Sequence, residues 1–157
     1  MRIQIGEDGR FNYRVAGILL HAGRVLLHRN RRGYWALPGG HIEFMEPAAE
    51  TLRREMREEL RADVTVERLV WVTEHFFRSR EGERVHEMAW YFLMSLPDGH
   101  PLFERGSLFE GAEGPGLMFG WHPLADLAAL QLYPQFLRER LRAIPPAIEH
   151  LVMPVDR

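Results

Sequence analysis

A chain of 157 residues, 46% hydrophobic and 27% charged, has the size and balance of one globular domain and predicts a single domain over residues 1–157. Its formal net charge of −2 excludes a strong nucleic-acid footprint, and the lack of cysteine excludes disulfides, iron–sulfur clusters, thiol catalysis and cysteine-ligated zinc. All 20 basic residues are arginine, which excludes lysine Schiff-base chemistry; the bias runs along the whole chain and reads as compositional. No window reaches the ~18 apolar residues of a membrane span, and Met1–Asp8 has no apolar core of a secretory signal, so no membrane partner and a cytoplasmic location are expected.

Arg14 to His21 is apolar and β-branched and predicts a strand, with His21-Ala22-Gly23-Arg24 as a hairpin turn and Val25 to His28 as the return strand. Asn30 to Gly33 breaks the pattern, Tyr34 to Leu37 resumes an extended segment, and Pro38-Gly39-Gly40 punctuates it. Pro47 to Leu60 predicts a helix whose buried stripe is Ala48, Ala49, Leu52, Met56 and Leu60. Val64 to Phe77 and Val85 to Leu96 predict two more strands around a polar turn at Arg78–Glu83. Gly106 to Gly116 reads as a loop, mobile at Gly111 to Gly116, and Pro123 to Leu130 and Pro134 to Ile144 as two short helices. The apolar tail from Ile148 to Val155 packs either on the core or on a second copy, which leaves a homodimer open. This order predicts a mixed sheet covered by helices, α+β or α/β in class.

On the predicted helix Glu55 and Glu59 lie about 40° apart, with Glu58 about 60° to the other side of Glu55. The three carboxylates share a face that borders the buried stripe, about a quarter turn away. Carboxylates so close repel one another unless a cation intervenes, and all-oxygen donors suit Mg²⁺, Mn²⁺ or Ca²⁺. Magnesium completes its shell with water and phosphate oxygens, which points to phosphoryl chemistry. The competing reading is a solvated helix face laced by the i,i+4 pairs Glu50–Arg54 and Arg54–Glu58. That reading leaves Pro38-Gly39-Gly40 and Glu46, at the helix entrance, unexplained.

Gly40, Glu46 and the run Arg54-Glu55-Met56-Arg57-Glu58-Glu59 resemble the signature box of the Nudix hydrolases, matching six of its seven fixed single-residue positions. Trp35-Ala36-Leu37-Pro38-Gly39 is similar to the family's lead-in, and Trp121 to Leu127 to its usual downstream flank. The resemblance implies an α/β/α sandwich with a mixed β-sheet between helices. It implies hydrolysis of a diphosphate linkage in a nucleoside diphosphate joined to another moiety, with Mg²⁺ or Mn²⁺ as cofactor. By the same resemblance Glu58 and Glu59 are the principal metal ligands, Glu55 binds metal directly or through water and activates the attacking water, and the carbonyl of Gly39 adds a ligand. Arg54 pairs with a neighbouring acid, Glu46 anchors loop and helix, and Gly40 allows a tight turn. Arg61 stands where the family has glycine, and Ala62 where it has a large aliphatic residue. Arg61 would therefore cost roughly 1 kcal/mol in a left-handed helix end, or the helix would run on.

Substrate choice is less marked. The position that separates family subclasses falls in Phe76-Phe77-Arg78-Ser79, without the usual Pro or Tyr. Trp35, Tyr34, Phe76 or Phe77 are candidates to stack on a base, Arg29, Arg31 and Arg32 to reach phosphates, and Glu104, Glu110 or Glu113 to supply a further carboxylate. The rival from another class is a non-catalytic Nudix-fold sensor of a nucleotide or protein. His41-Ile42-Glu43 and His86-Glu87 lack the cysteines or the second histidine of zinc enzymes, and no G-x-S-x-G, Walker A or G-x-G-x-x-G run is present.

Overall fold

The long β-branched and aromatic runs pair with one another, and the one strongly amphipathic segment lies across them as a helix. The computed structural model describes residues 1–154. In chain order it contains β1 (Arg2–Ile5), β2 (Gly9–His21), β3 (Arg24–Arg29), β4 (Trp35–Ala36), β5 (Gly39–His41), α1 (Ala48–Leu60), β6 (Thr65–Arg78) and β7 (Arg84–Ser95). A 3-10 turn at Pro101–Glu104 leads to β8 (Phe109–Gly111) and β9 (Gly114–Pro123), and a 3-10 helix at Leu124–Ala129 leads to α2 (Leu137–Arg140) and β10 (Glu149–Met153).

The sheet is mixed. β10 lies parallel on β6, β6 pairs antiparallel with β7, and β7 runs parallel to β2 from Gly9↔Arg84 to Leu19↔Met94. β2 and β3 pair only at Leu20↔Val25 and His21↔Arg24, after which β3 turns away to join β9 and β4. β5 adds to β2 at Arg14 to Ala16, just beyond the stretch that β1 covers. This pairing holds the Pro-Gly-Gly segment against the middle of the longest apolar strand.

Helical turns cover both faces, giving the α/β/α order. On one face the fully buried Leu52 and Met56 of α1 pack with Val15, Leu19, Leu26, Met94 and Trp121. Burial of each such side chain stabilises the fold by about 1.5–3 kcal/mol. On the other face Ile18, Val70, Trp71 and Tyr91 meet Leu127, Leu132, Leu137 and Leu141. Among the described residues no helix is long and apolar enough to cross a membrane.

Three expectations are corrected, and the tail, left open between two outcomes, is placed. The Gly106–Gly116 stretch is not a loop throughout: it contains β8, the turn and the start of β9, because Phe109 stacks on Phe119 and draws the two segments into a hairpin. Pro123–Leu130 forms a 3-10 helix, and of Pro134–Ile144 only Leu137–Arg140 is α-helical. Their leucines fill the second core without needing a long helix. The tail forms β10 on β6, with Leu151 packed at the second core and Ile148 and Val152 exposed; Val155 lies outside the described residues. The tight turn expected at Gly40 lies instead at Glu43–Glu46, where the Glu46 N–H donates to the Glu43 carbonyl at 3.1 Å and Met45 takes a φ of 66°. Gly40 itself is a strand residue opposite Val15.

α1 does not run on. It ends at Leu60, and Arg61 adopts the left-handed conformation (φ 51°, ψ 37°) that the family glycine would occupy. The N–H groups of Arg61 and Ala62 donate to the carbonyls of Arg57 and Met56 at 3.0 and 3.2 Å. Ala62 is fully buried and holds the turn against the core.

Candidate active site

The acidic helix is anchored at its first turn by a side chain from outside it. Pro47 opens α1 without a side-chain cap. The buried Thr51 hydroxyl donates to Glu46 Oε2 at 2.8 Å. Arg54 grips both oxygens of Glu46 from Nε and Nη2 at 3.0 and 3.1 Å, a bidentate, charge-assisted pair. This grip holds the Glu46 carboxyl well below the usual range, at about 2. The remaining arm of Arg54, Nη1, reaches Glu55 Oε1 at 3.2 Å and Glu58 Oε2 at 3.3 Å. One guanidinium thus joins three of the acidic side chains.

Glu55 and Glu59 turn inward while Glu58 stays at the surface, 47% exposed against 16% for Glu55. Gly40 makes room for Glu55: a Cβ there would lie 2.5 Å from the Glu55 carboxyl. Gly39 beside it is equally confined, since a Cβ would meet the Val15 carbonyl oxygen at 2.0 Å. The Glu59 carboxyl is pushed up to about 9, first by burial, then by its hydrogen bond and repulsion with Glu55, and then by Glu113. Glu113 comes from the β8–β9 turn, which docks on the end of α1 through a 2.7 Å hydrogen bond from the Ala112 N–H to the Glu59 carbonyl. Of the three downstream acids, Glu113 is the one whose field acts on Glu59; Glu104 is exposed at the end of the 3-10 turn and Glu110 faces solvent on β8.

Among the described residues no three carboxylates or imidazoles converge on one point as a ready chelate. Glu58 and Glu55 turn to Arg54, and Glu59 lies beside Glu55. The donor chemistry nevertheless fits a hard divalent cation, because the donors are all oxygen and the charges of Glu55 and Glu113 add to burial in raising Glu59.

A cavity of about 560 Å³ opens on the sheet face opposite α1, lined by Arg14, Tyr34, Trp35, Phe77, Glu87 and Tyr133 among others. Arg14 links it to the acids, since its charge opposes the upward shift of Glu59 and also depresses His28 and His41. Burial is the larger cause for both histidines and brings each to about 4. Trp35 lines this cavity, edge-on to His122 at 4.3 Å. Arg29 and Arg31 line a separate hollow with Asn30, Pro115, Gly116 and Met118, beside the hairpin that carries Glu113. Phe76 is not with them. Alternation along β6 sends it to the face opposite Phe77, where it packs on His86 at 4.5 Å. Arg32 pairs with Glu81 at 3.3 Å on the surface. Arg14 and Glu87 escaped the sequence reading; the one available signal was a charge in the otherwise apolar run from Tyr13 to Leu20.

The NUDIX domain family matches residues 11–144. The putative mutator protein MutT4 of Mycobacterium tuberculosis is 31% identical over 128 residues, 82% of this chain and 46% of that protein. The CTP pyrophosphohydrolase of Escherichia coli is 34% identical over 91 residues, 55% of this chain and 62% of that protein. The chain therefore spans about half to three fifths of the length of these relatives. The crystal structure of an ADP-ribose pyrophosphatase from Streptococcus suis shares the fold at a TM-score of 0.60 and 19% identity, covering 90% of this chain and 98% of that one. With the family match running from β2 to the end of α2, this chain belongs to the NUDIX domain family.

Proposed function

We propose that this chain hydrolyses the diphosphate linkage of a nucleoside diphosphate joined to another moiety, in a reaction that needs Mg²⁺ or Mn²⁺. The observation that carries the reading is the Glu55–Glu59 pair, two carboxyl groups held side by side between Arg54 and Glu113, with Arg14 of the aromatic cavity acting on Glu59. Nucleotide-cleaving relatives, a CTP pyrophosphohydrolase among them, support the same class.

Glu58 and Glu59 would be the principal ligands of the ion, with Glu55, the Gly39 carbonyl and Glu113 completing the protein's share. When bound, such an ion neutralises phosphate oxygens and lowers the pKa of coordinated water. Glu55 orients the attacking water and takes its proton. Arg54 keeps Glu46, Glu55 and Glu58 in register, so that the loop and the acidic helix move as one body. Trp35 and its aromatic neighbours hold the base, and Arg29 and Arg31 hold the phosphates. The chain works as a single domain on a small nucleotide, in the cytoplasm.

The test is incubation with Mg²⁺ or Mn²⁺ and a panel of nucleoside triphosphates, nucleotide sugars, ADP-ribose and dinucleoside polyphosphates, beside the Glu58→Gln/Glu59→Gln variant. Metal-dependent cleavage of one class, lost in the variant, is the expected result. Cleavage that survives in the variant overturns the assignment of these residues. Binding without cleavage across the panel favours a nucleotide sensor.

A further inference from the structure

A second cavity of about 580 Å³ adjoins the first, where β1 and the start of β2 meet the β6–β7 hairpin. None of the acidic residues of α1 lines it. Three rings form its wall: His86 lies 4.5 Å from Phe76 and 5.3 Å, edge-on, from Phe11. Two nitrogens of its lining residues, Arg10 Nε and His86 Nε2, are buried without a hydrogen-bond partner among the described residues. Buried polar atoms are rarely left unpaired in a folded protein, so the wall of this cavity holds two polar groups whose side chains would have to shift to find a partner. Arg10 is held by Glu83 at 2.6 Å, and Arg84 by Asp8 in a solvent-exposed pair at 3.0 Å that competes only weakly for an incoming anion. Arg78 has only the Gly82 carbonyl, at 3.1 Å, as its hydrogen-bond acceptor among the described residues.

We propose that this cavity is a second ligand site, taking a planar aromatic ring that carries an anionic group, the class that a nucleoside monophosphate represents. The ring enters between Phe11, Phe76 and His86, and the anion meets the guanidinium groups at the mouth. The volume falls within the usual range of small-molecule sites, about 300–1,000 Å³. Phe77 and Arg78 line both this cavity and the one that holds Trp35, so occupancy of one bears on the shape of the other. The inference does not depend on the hydrolase reading, because it concerns binding alone.

AMP is the probe, with adenosine and inorganic phosphate as separate arms, and the readout is backbone amide chemical shifts of the full chain. AMP should shift amides 9–11 and 84–86, and a Trp35→Ala background should retain these shifts. Phe76→Ala and the surface variant Arg84→Glu should each weaken that set about tenfold. Arg84→Glu removes no packed side chain, so it keeps the test valid if Phe76→Ala fails to fold. Adenosine and phosphate should each bind more weakly than AMP. Shifts confined to the Trp35 cavity, or shifts at 84–86 unaltered by Arg84→Glu, overturn the proposal.

Discussion

The chemistry of the site turns on single side chains whose positions leave little slack. Gly40→Ala places a methyl 2.5 Å from the flexible end of Glu55, so Glu55 must swing away while the strand stays paired. The expected outcome is a large loss of turnover with little change in melting temperature; an unaltered rate would separate Glu55 from catalysis. Glu59→Gln should lower turnover by at least ~10²-fold, the cost of losing one group that stabilises charge in the transition state. Arg54→Ala removes the bidentate grip on Glu46 and the bridge to Glu55 and Glu58 together. Urea unfolding should show it about 1–2 kcal/mol less stable.

The elements themselves were legible in the chain to different degrees, for physical reasons. Helix α1 follows from a 3.6-residue apolar stripe, and β2, β6 and β7 from long β-branched runs, because these patterns are local. The hairpin of β8 and β9 was not legible. Its glycines and prolines read as a loop, and it is ordered by contacts far away in sequence: Phe109 with Phe119, and Ala112 with the end of α1. A residue identity misled in a different way at Arg61. The box predicts glycine there, and the backbone takes the glycine conformation although the side chain is arginine. Arg61→Gly should therefore stabilise the protein by about 1 kcal/mol without altering the site, measured by thermal or urea unfolding. A destabilised variant would mean that the arginine side chain makes contacts worth more than the strain.

At the scale of the whole molecule, the buried titratable groups set how stability varies with pH. His28 and His41 titrate at about 4 when folded and near 6.5 when unfolded. In that window the unfolded chain binds more protons, so stability falls as the pH drops from about 6.5 to 4. Glu46 extends the loss below its unfolded value of 4.5 toward about 2. Glu59 acts in the opposite sense. Its folded pKa near 9 exceeds its unfolded value of 4.5, so the metal-free fold keeps a proton that the unfolded chain has released, and stability declines as the pH rises toward 9. Unfolding midpoints measured in chelator from pH 4 to 9 should pass through a maximum, and Mg²⁺ or Mn²⁺ should flatten the alkaline side. A Glu59→Gln variant should lose that alkaline decline.

The chain by itself determined which residues stand together as candidates for the chemistry. The spacing of Glu55, Glu58 and Glu59 on one helix, the glycines before it and Glu46 at its entrance are local features, and helical geometry alone puts the acids on a common face. Tertiary structure decided which partners they meet. It turns Glu58 toward Arg54, buries Glu59 beside Glu55 and puts Arg14 in the lining of the aromatic cavity. It also sends Phe76 and Phe77 to opposite faces of β6, so that Phe77 lines both cavities and Phe76 only one. Such placements depend on strand register and on loops that close over long sequence separations, and local periodicity carries neither.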